Sequence, residues 1–549
     1  MKRSLYWIHR WTGVVLALFM LTWFASGVVI MYSENLNQNR PQQLAHAEKL
    51  LPASGWLSLG EAWERSAEER KTAVAEILAG RGEAQRGAGE ARAGGRSAVA
   101  PDVIVDARLV RSAGQPYWLV ENGPGRRFAI SAVDGKLHRV SVEDALRIAS
   151  QWVNGEDFGR TPVAYVDTID TDSTLGNQEA LKPFHRIAVD DGNGTELLIS
   201  ARTGEVYRAS TSFERGLYYT GNWIHLLKFL DVLSPGETRH NVQSWVGFGA
   251  TAACLTGIII GWLRWRPGWF GKPTYSQGRT QPYRDFWWKW HFWGGLIGGV
   301  FALGWGLSGY LSTNPWLIFS NGNPTRAELA GFVGSELPAV MKDWKPAPLT
   351  GEDADGIVEL GWRRLAGEAV LLAYTPDGRR QPQAIEGAAT RFSDAAVLDA
   401  ARRLVGKEAE ASYVAQGEYD SYYYPRRGRG TWERQLPVSR VDFADASGSR
   451  LYIDPIEGRV LIKQDQSRRV YRWAFNLLHY WDFGWLQKRP VWDVWMLTWI
   501  ALGLTLSATA VWLAWQRLKV TFKAKKRARQ EAKIPAVAAR PATESAVAG

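Results

Sequence analysis

Four long apolar stretches limit this chain to folds that cross a membrane. They run roughly from Leu5 to Tyr32, Val242 to Leu263, Trp290 to Ser312 and Trp492 to Trp515. Each has about 20 residues or more, and a helix that rises about 1.5 Å per residue needs that length to cross roughly 30 Å of hydrocarbon. The 29 tryptophans cluster near the ends of these stretches, as aromatic residues do at membrane interfaces. The sequence therefore predicts an integral membrane protein with four spans, although large polar segments make its mean hydropathy slightly negative.

The basic residues predict which side of the membrane each segment faces. They are concentrated before the first span, in the short loop between the second and third spans, and after the fourth. Cytoplasmic segments beside spans are enriched in Lys and Arg, so we expect both termini in the cytoplasm and both long segments on the other side. The net charge of +11 is then mostly topogenic and lipid-facing, and it does not indicate nucleic-acid binding. The first span is expected to remain as an uncleaved anchor, because its apolar run is too long for a signal peptide.

This topology divides the chain into transmembrane helices at 1–33, 242–264, 290–312 and 492–516, external domains at 34–241 and 313–491, a cytoplasmic loop at 265–289 and a basic cytoplasmic tail at 517–549. Composition predicts a loop from Gly82 to Ala100, rich in Ala, Gly and Arg, and an unstructured tail after about Lys533. Cys254 is the only cysteine. Disulfides, cysteine zinc sites, iron–sulfur clusters and c-type haem attachment are therefore excluded.

The sequence of each external domain predicts a small α+β module. In the first, Ser141 to Asp144 is a capping box that opens an amphipathic helix from Ala145 to Val153. In the second, a helix is predicted from Ser393 to about Val405. Apolar runs punctuated by Gly and Asp then predict hairpins in both domains. The predicted strands are 186–189, 196–200, 205–207, 440–443, 450–453 and 459–462, with turns at 191–194, 202–204 and 455–458.

The two halves of the chain align with each other. Pro183–Phe229 matches Pro437–Phe483 without a gap, at a constant offset of 254 residues. A second match, at an offset of 282, places His9–Gly13 on His291–Gly295 and Ser26–Gly27 on Ser308–Gly309. We interpret the chain as a diverged tandem duplication.

Four histidines occupy equivalent places in the two halves: His9 aligns with His291, and His225 with His479. Two imidazoles from symmetric helices are the ligand set of a bis-histidine haem. Any one of these histidines is also explained as an interfacial polar anchor or a helix cap, but the symmetry favours two b-type haems, one near each membrane face. Two such centres would divide roughly 30 Å of hydrocarbon into shorter electron-transfer steps. His240, which borders the second span, is the alternative ligand.

Several other residues near the spans each have two interpretations. Small residues that suit either close helix packing or contact with a macrocycle are Gly13, Ser26, Gly27, Gly294, Gly295, Gly298 and Gly299. Arginines that suit either haem propionates or topology alone are Arg10, Arg264 and Arg266. Polar residues that could orient an imidazole N–H are Asn222, Asp231, Asn476 and Asp482, and the asparagines could instead cap short helices.

The stretch from Tyr419 to Arg429 combines tyrosines with arginines. Stacking and bidentate hydrogen bonds from such residues can hold an anionic or aromatic ligand. Tyr422, Tyr423 and Arg426 are therefore the candidate substrate-binding residues. An aromatic strand beside a solvated charged hairpin would give the same sequence, and this alternative stays open.

The two hairpin endings, at residues 197–206 and 451–460, resemble PepSY domains. Together with the span that begins Ile8–Gly13 and ends Ser26–Gly27, they make the chain from Leu5 to Trp515 resemble the PepSY-associated transmembrane family. That family includes iron-regulated inner-membrane proteins and ferrisiderophore reductases. The resemblance implies an all-α four-helix transmembrane bundle with two periplasmic α+β PepSY-like domains, in the bacterial cytoplasmic membrane. It also implies b-type haem bound through histidine, and reduction of ferric siderophores on the periplasmic side, in some members.

Residues and resemblance together predict a haem-b electron-transfer protein that reduces ferric siderophores or related ferric chelates, which would make it an oxidoreductase. The inner loops are too short for a flavin or nicotinamide domain, so electrons are expected from membrane quinol or a separate cytoplasmic reductase. Two other functions remain open. The chain could be a non-redox PepSY protein that binds peptides or regulates a protease, or an accessory protein of siderophore transport.

Overall fold

The computed structural model describes residues 2–33, 35–84, 102–155, 159–172, 174–175, 178–233, 237–269, 271–348, 356–406, 409–425 and 431–531. The chain forms two compact units. The first, here called the helical unit, comprises Met1–Ala25, Trp245–Tyr310 and Asp493–Gly549. The second, the sheet unit, comprises Ser26–Ser244 and Leu311–Trp492.

The α-helices are numbered in chain order. They are α1 (Lys2–Tyr32), α2 (Arg40–Ala45), α3 (Leu59–Arg65), α4 (Ala67–Ala84), α5 (Val142–Asn154), α6 (Ser212–Tyr218), α7 (Leu230–Leu233), α8 (Glu237–Arg264), α9 (Phe286–Trp293), α10 (Gly299–Ser312), α11 (Arg326–Val333), α12 (Ala339–Asp343), α13 (Asp394–Val405), α14 (Gln466–Tyr471), α15 (Leu478–Tyr480) and α16 (Val491–Glu531). Wider π-helical turns occur at Tyr219–Trp223 after α6, at Gly294–Gly298 between α9 and α10, and at Arg472–Leu477 between α14 and α15.

The strands form antiparallel sheets. They are β1 (Ile104–Ser112), β2 (Gln115–Asn122), β3 (Arg127–Ser131), β4 (Leu137–His138), β5 (Val163–Ile169), β6 (Phe184–Val189), β7 (Glu196–Ser200), β8 (Val206–Ser210), β9 (Glu359–Leu365), β10 (Glu368–Tyr374), β11 (Arg380–Pro382), β12 (Ala411–Gln416), β13 (Val438–Phe443), β14 (Arg450–Asp454) and β15 (Arg459–Gln464). A seven-stranded sheet has the order β11-β10-β9-β1-β2-β3-β4. Two four-stranded sheets have the orders β5-β6-β7-β8 and β12-β13-β14-β15.

Four helical segments are long and apolar enough to cross a membrane: Lys2–Tyr32, Thr238–Arg264, Phe286–Ser312 and Val491–Ala524. They coincide with the four predicted apolar stretches, so the prediction of a multi-pass membrane protein is confirmed. The fourth helix is longer than predicted. Helix α16 continues to Glu531, so the part of the predicted tail from 517 to 531 is helical, and the tail after Lys533 lies outside the described residues.

The two predicted α+β modules are present, each as a helix followed by a four-stranded sheet. Helix α5 begins at the predicted capping box, where the Ser141 side chain accepts a hydrogen bond from the Asp144 N–H, and it buries Ile148 against the β5–β8 sheet. Helix α13 begins after the cap Ser393 and buries its apolar side against the β12–β15 sheet. Both sheets have a bulge at the equivalent place in their last pairing, between Leu198 and Ile199 and between Tyr452 and Ile453.

The seven-stranded sheet differs from the sequence-based expectation of two separate modules. Its central pairing joins β1, which precedes the first module, to β9, which precedes the second; Ala107 lies opposite Trp362. Local patterns do not reveal such a pairing, because its partners are far apart in the chain. The predicted loop from Gly82 to Ala100 also begins differently: helix α4 continues to Ala84, and residues 85–100 lie outside the described part.

Candidate sites, one at each of two histidine pairs

The first histidine pair lies in the helical unit. Helix α1 carries His9 and helix α9 carries His291, and their ring centroids are 6.3 Å apart with the ring planes inclined by 40°. Both rings are half-buried. The structure thus brings together two side chains that the sequence places at equivalent positions of its two halves.

The second histidine pair lies in the sheet unit. The ring centroids of His225 and His479 are 6.4 Å apart, and the ring planes are nearly perpendicular, at 77°. Both rings are again half-buried. A π-helical turn ends two residues before each histidine, at Trp223 and at Leu477, and such turns are frequent at functional sites.

The spacing within both pairs suits a metal ion held between the rings. Imidazole nitrogens bind metals at about 2 Å, and each nitrogen lies about 1 Å from its ring centroid, so two opposed ligands place their centroids about 6 Å apart. Among the described residues, no group of three or more His, Cys, Asp and Glu side chains is placed to hold a metal ion. Two imidazoles suit an iron whose four remaining ligands come from a porphyrin.

The hydrogen bonds of His9 assign its tautomer. Its Nδ1 lies 3.0 Å from the carbonyl oxygen of Ala253 in helix α8. Because a carbonyl can only accept, Nδ1 carries the hydrogen and donates it, and the lone pair of the neutral ring is on Nε2. A metal-binding histidine commonly has this arrangement, in which one ring N–H is held by the protein and the other nitrogen is the ligand.

His291 has the same arrangement. Its Nδ1 lies 3.2 Å from the Thr509 hydroxyl oxygen in helix α16. That hydroxyl donates its own hydrogen to the carbonyls of Thr505 and Leu506, at 2.9 and 2.8 Å, so its oxygen is the acceptor from the histidine. The lone pair of His291 is therefore also on Nε2.

The second pair is oriented by neighbours from other elements. His225 Nδ1 lies 3.1 Å from the Ser26 hydroxyl oxygen of helix α1. The His479 ring stacks on Phe475 at a centroid distance of 5.1 Å. Burial, together with the nearby His225, lowers the pKa of His479 to about 3, so this ring is neutral at physiological pH. Neutral imidazole is the form that binds iron.

The predicted small residues divide into two groups. Some pack helices closely: a Cβ built on Gly298 would lie 2.9 Å from Leu502, and one built on Gly299 would lie 3.3 Å from Ile258. Others adjoin the histidines. A Cβ on Gly27 would lie 3.8 Å from His225 Cε1, and no described atom lies within 4 Å of a Cβ on Gly13, one helical turn after His9. The helix surface at Gly13 is therefore open, and Gly27 lies at ordinary contact distance from His225.

Three of the four polar residues proposed to orient imidazoles, Asn222, Asp231 and Asp482, have other partners in the structure. Arg239 binds Asp231 at 2.9 Å, and Arg472 binds Asp482 at 3.0 Å. Asn222 donates to the Ser33 hydroxyl at 3.2 Å. The orienting side chains observed are instead Ser26 and Thr509, which the sequence analysis did not assign to this role. A signal was present, because Ser26 belongs to the repeated motif around the first span.

The candidate arginines and the alternative histidine lie near the ends of spans. Arg264 donates to the hydroxyls of Tyr6 and Tyr283, at 3.0 and 2.6 Å, and Arg266 lies over the Tyr275 ring at 4.6 Å. Arg10 is exposed on α1, and His240 lies near the beginning of α8.

The candidate substrate-binding residues are placed differently from one another. Tyr423 is fully buried, and its hydroxyl donates to the Gln435 carbonyl at 2.6 Å, so it is part of a packed cluster. Tyr422 is half-buried, and its hydroxyl accepts from the indole N–H of the exposed Trp473 at 3.2 Å. Arg426 lies outside the described residues. Trp473, which sequence reasoning missed, therefore joins Tyr422 at an accessible surface.

The comparison with protein-family models agrees with the resemblance found in the sequence. The family model described as "PepSY-associated TM region" matches residues 6–407, which is well over half of the chain. The predicted relationship to this family is thereby confirmed. No curated protein matched the chain in a sequence search.

Proposed function

Because this chain belongs to the PepSY-associated transmembrane family, we propose that it is a membrane electron-transfer protein that binds two b-type haems and reduces ferric chelates such as ferric siderophores. The observation that carries the proposal is the spacing of the histidines. Residues more than 200 positions apart bring their ring centroids to 6.3 Å in one pair and 6.4 Å in the other. Family membership alone supports only a PepSY-associated membrane protein.

The chain's own residues have defined tasks in this proposal. His9 and His291 would hold one iron through their Nε2 atoms, and His225 and His479 would hold the other, while Ala253, Thr509 and Ser26 hold three of the rings by their Nδ1 atoms. A bound haem would supply a one-electron Fe(III)/Fe(II) couple. The half-buried rings limit the access of water, and burial in a medium of low dielectric adjusts the potential of such a couple.

The proposed topology gives the electron a direction. The membrane is the bacterial cytoplasmic membrane, both termini are cytoplasmic, and the two PepSY-like domains of a tandem duplication are periplasmic. The donor, a quinol or a separate cytoplasmic reductase, is oxidised by one electron for each Fe(III) that is reduced to Fe(II) in the chelate. Fe(II) binds hard oxygen ligands more weakly than Fe(III), so reduction favours release of the metal.

The surroundings of the second histidine pair indicate where the acceptor would approach. In the segment before His479, Phe475 also contacts Tyr471, with ring centroids 5.2 Å apart and the ring planes inclined by 36°. The equivalent residues before His225, 254 positions earlier, are Leu217 and Gly221. A Cβ on Gly221 would lie 3.1 Å from the backbone of Ile30 in helix α1, so that side is filled by protein. The aromatic side of His479, on the chain segment that also carries the exposed Trp473, is the better place for a bulky acceptor.

The experiment that tests the proposal begins with the purified full chain from haem-replete cells. We expect a b-type spectrum after dithionite reduction and about two haems per chain. Replacing His9 or His291 by alanine should remove one haem, and replacing His225 or His479 should remove the other. His240→Ala is the control and should keep both. If the four substitutions leave haem content and spectrum unchanged, ligation by these residues is wrong.

The second part of the same experiment tests the acceptor. Reduced protein should be reoxidised by some ferric siderophores faster than by air, and a ferrous trap such as ferrozine should colour as this happens. The rate should fall in Tyr422→Ala. If no ferric chelate reoxidises the reduced protein faster than air does, the proposal of iron reduction is wrong, even if the haems are present. A colourless preparation would instead favour a non-redox peptide-binding or transport-accessory protein.

A further inference from the structure

Each histidine of the first pair meets the same local structure on its neighbouring helix. His9 Nδ1 faces the carbonyl of Ala253 at 3.0 Å, and Thr256, three residues later, lies at 3.5 Å. His291 Nδ1 lies 3.2 Å from the Thr509 hydroxyl oxygen, and the His291 ring also interacts with the backbone of Leu506, three residues before Thr509. The two arrangements are 253 residues apart in the chain, from Ala253 to Leu506 and from Thr256 to Thr509.

The threonine hydroxyls make equivalent bonds within their helices. Thr256 Oγ1 donates to the carbonyls of Ala252 and Ala253, at 2.7 and 3.1 Å. Thr509 Oγ1 donates to the carbonyls three and four residues before it, at 2.8 and 2.9 Å. These bonds fix the rotation of each hydroxyl, so its hydrogen points along the helix and its oxygen is available to the histidine. Helical threonines often make such bonds, but here both have an imidazole as a further partner.

We infer that Thr256 and Thr509 are positioning residues of the first histidine pair, with Thr509 the stronger of the two. The inference rests on the proposed haem function and goes beyond it, because it assigns the residues that set ring orientation and ligand strength. An acceptor on Nδ1–H makes the opposite nitrogen more basic, and a more basic ligand favours Fe(III) over Fe(II). The two threonines therefore keep the reduction potential of this site low.

The distances rank the two residues. Thr509 is itself an acceptor from His291, at 3.2 Å, whereas the shorter bond of His9 is to the Ala253 carbonyl and Thr256 lies at 3.5 Å. Removing the Thr509 hydroxyl should weaken the hydrogen bonding of its histidine more than removing the Thr256 hydroxyl. Thr505, one turn earlier on the same helix, donates to Ala501 at 2.9 Å and provides a matched control.

The test is a spectroelectrochemical titration of the full chain with its haems, together with haem content, for Thr509→Val, Thr509→Ser, Thr256→Val and Thr505→Val. Valine keeps the shape of threonine and removes the hydroxyl. In Thr509→Val, one of the two potentials should rise, with up to about a tenfold change in the preference for Fe(III), which is about 59 mV for one electron. Thr509→Ser should keep the wild-type value, Thr256→Val should shift the same potential less, and Thr505→Val should not shift it.

The outcomes separate this inference from the haem function beneath it. If Thr509→Val holds two haems and both potentials match the wild type, the positioning role is wrong and the haem function stands. If Thr509→Ser shifts the potential as far as valine does, or Thr505→Val shifts it equally, the hydroxyl of Thr509 is not the cause. If the wild-type chain holds no haem, the proposed function itself is wrong. Should Thr509→Val fail to fold, Thr509→Ala, which also removes the hydroxyl, is compared with Thr509→Ser instead, and equal potentials in these two variants would show that the hydroxyl has no positioning role.

Discussion

Gly257 in helix α8 allows the His9 ring to take the orientation seen in the first histidine pair. A Cβ built on Gly257 would lie 2.7 Å from His9 Cε1 and 3.2 Å from its Nδ1. The ring cannot move aside without losing its bond to the Ala253 carbonyl, one turn earlier on the same helix. Glycine within a helix lowers helix stability by roughly 1 kcal/mol relative to alanine. At position 257 this loss accompanies the close approach of the His9 ring.

We expect Gly257→Ala to displace His9 and to remove the haem proposed for the first pair, while the haem proposed for the second pair is kept. Haem content should fall by about half, although alanine is the better helix former. The measurement is the haem content and the reduced spectrum of the purified chain. Gly304→Ala is the control, because no described atom lies within 4 Å of a Cβ at Gly304 in helix α10. Unchanged haem content in Gly257→Ala would contradict this account of the glycine.

The turn between β7 and β8 is held against the seven-stranded sheet by the buried carboxylate of Glu205. Glu205 in this turn meets Arg108 of β1 at 2.7 Å and Arg127 of β3 at 3.4 Å. Burial alone would raise the pKa of Glu205, but the two arginines outweigh it and lower the pKa to about 2. The turn between β14 and β15 has a similar buried carboxylate, Glu457, which lies 3.4 Å from Arg380 of β11.

This arrangement makes the stability of the sheet unit depend on pH. The pKa of Glu205 is lower when folded than its ordinary value of 4.5, so its contribution is complete above that value and is lost as the pH falls toward about 2. Glu205→Gln removes the negative charge that neutralises two buried arginines. The free energy of unfolding should therefore fall by on the order of 3 kcal/mol at pH 7. The difference from wild type should shrink as the pH falls below 4.5.

Thermal unfolding in detergent, followed by tryptophan fluorescence between pH 7 and pH 3, measures this effect. The control is Glu196→Gln, because Glu196 pairs with Arg215 at 3.2 Å and both side chains are partly exposed. An exposed pair contributes about 0–1 kcal/mol, so this variant should differ little from wild type. A Glu205→Gln protein with the wild-type unfolding temperature at pH 7 would show that the carboxylate is not needed to hold the turn.

For the whole molecule, the basic segments and the four apolar helices predict one arrangement across the membrane. Reporter fusions after Arg279 and after Lys526 should report the cytoplasm, because both follow clusters of Lys and Arg beside a span. Fusions near Gly192 and Gly448, in the turns of the two four-stranded sheets, should report the periplasm. Alkaline phosphatase and green fluorescent protein at each position make the measurement. A cytoplasmic signal at Gly192 would contradict the four-span topology and the assignment of the histidine pairs to opposite faces.

The amino-acid sequence by itself determined the features that depend on near neighbours. The four spans follow from continuous apolar runs, helix α5 from its capping box, and the turn at Asp191–Gly194 from residues that tolerate its backbone. The proposal of the four histidines as ligands also came from the sequence, because its two halves repeat the same pattern. These features are local or repeated, so they can be read without knowing which distant segments meet.

Only the tertiary structure decided which distant residues meet. The pairing of β1 with β9 and the bond from His291 to Thr509 join residues more than 200 positions apart, and neither follows from a local pattern. The structure likewise buried Tyr423 and left Trp473 exposed, although both are aromatic residues in polar surroundings of the sequence. The physical reason is that burial and hydrogen bonding depend on packing between elements. The sequence indicates the histidines as candidate ligands. Only the folded structure brings the His9 and His291 rings together and shows which nitrogen of each carries the lone pair.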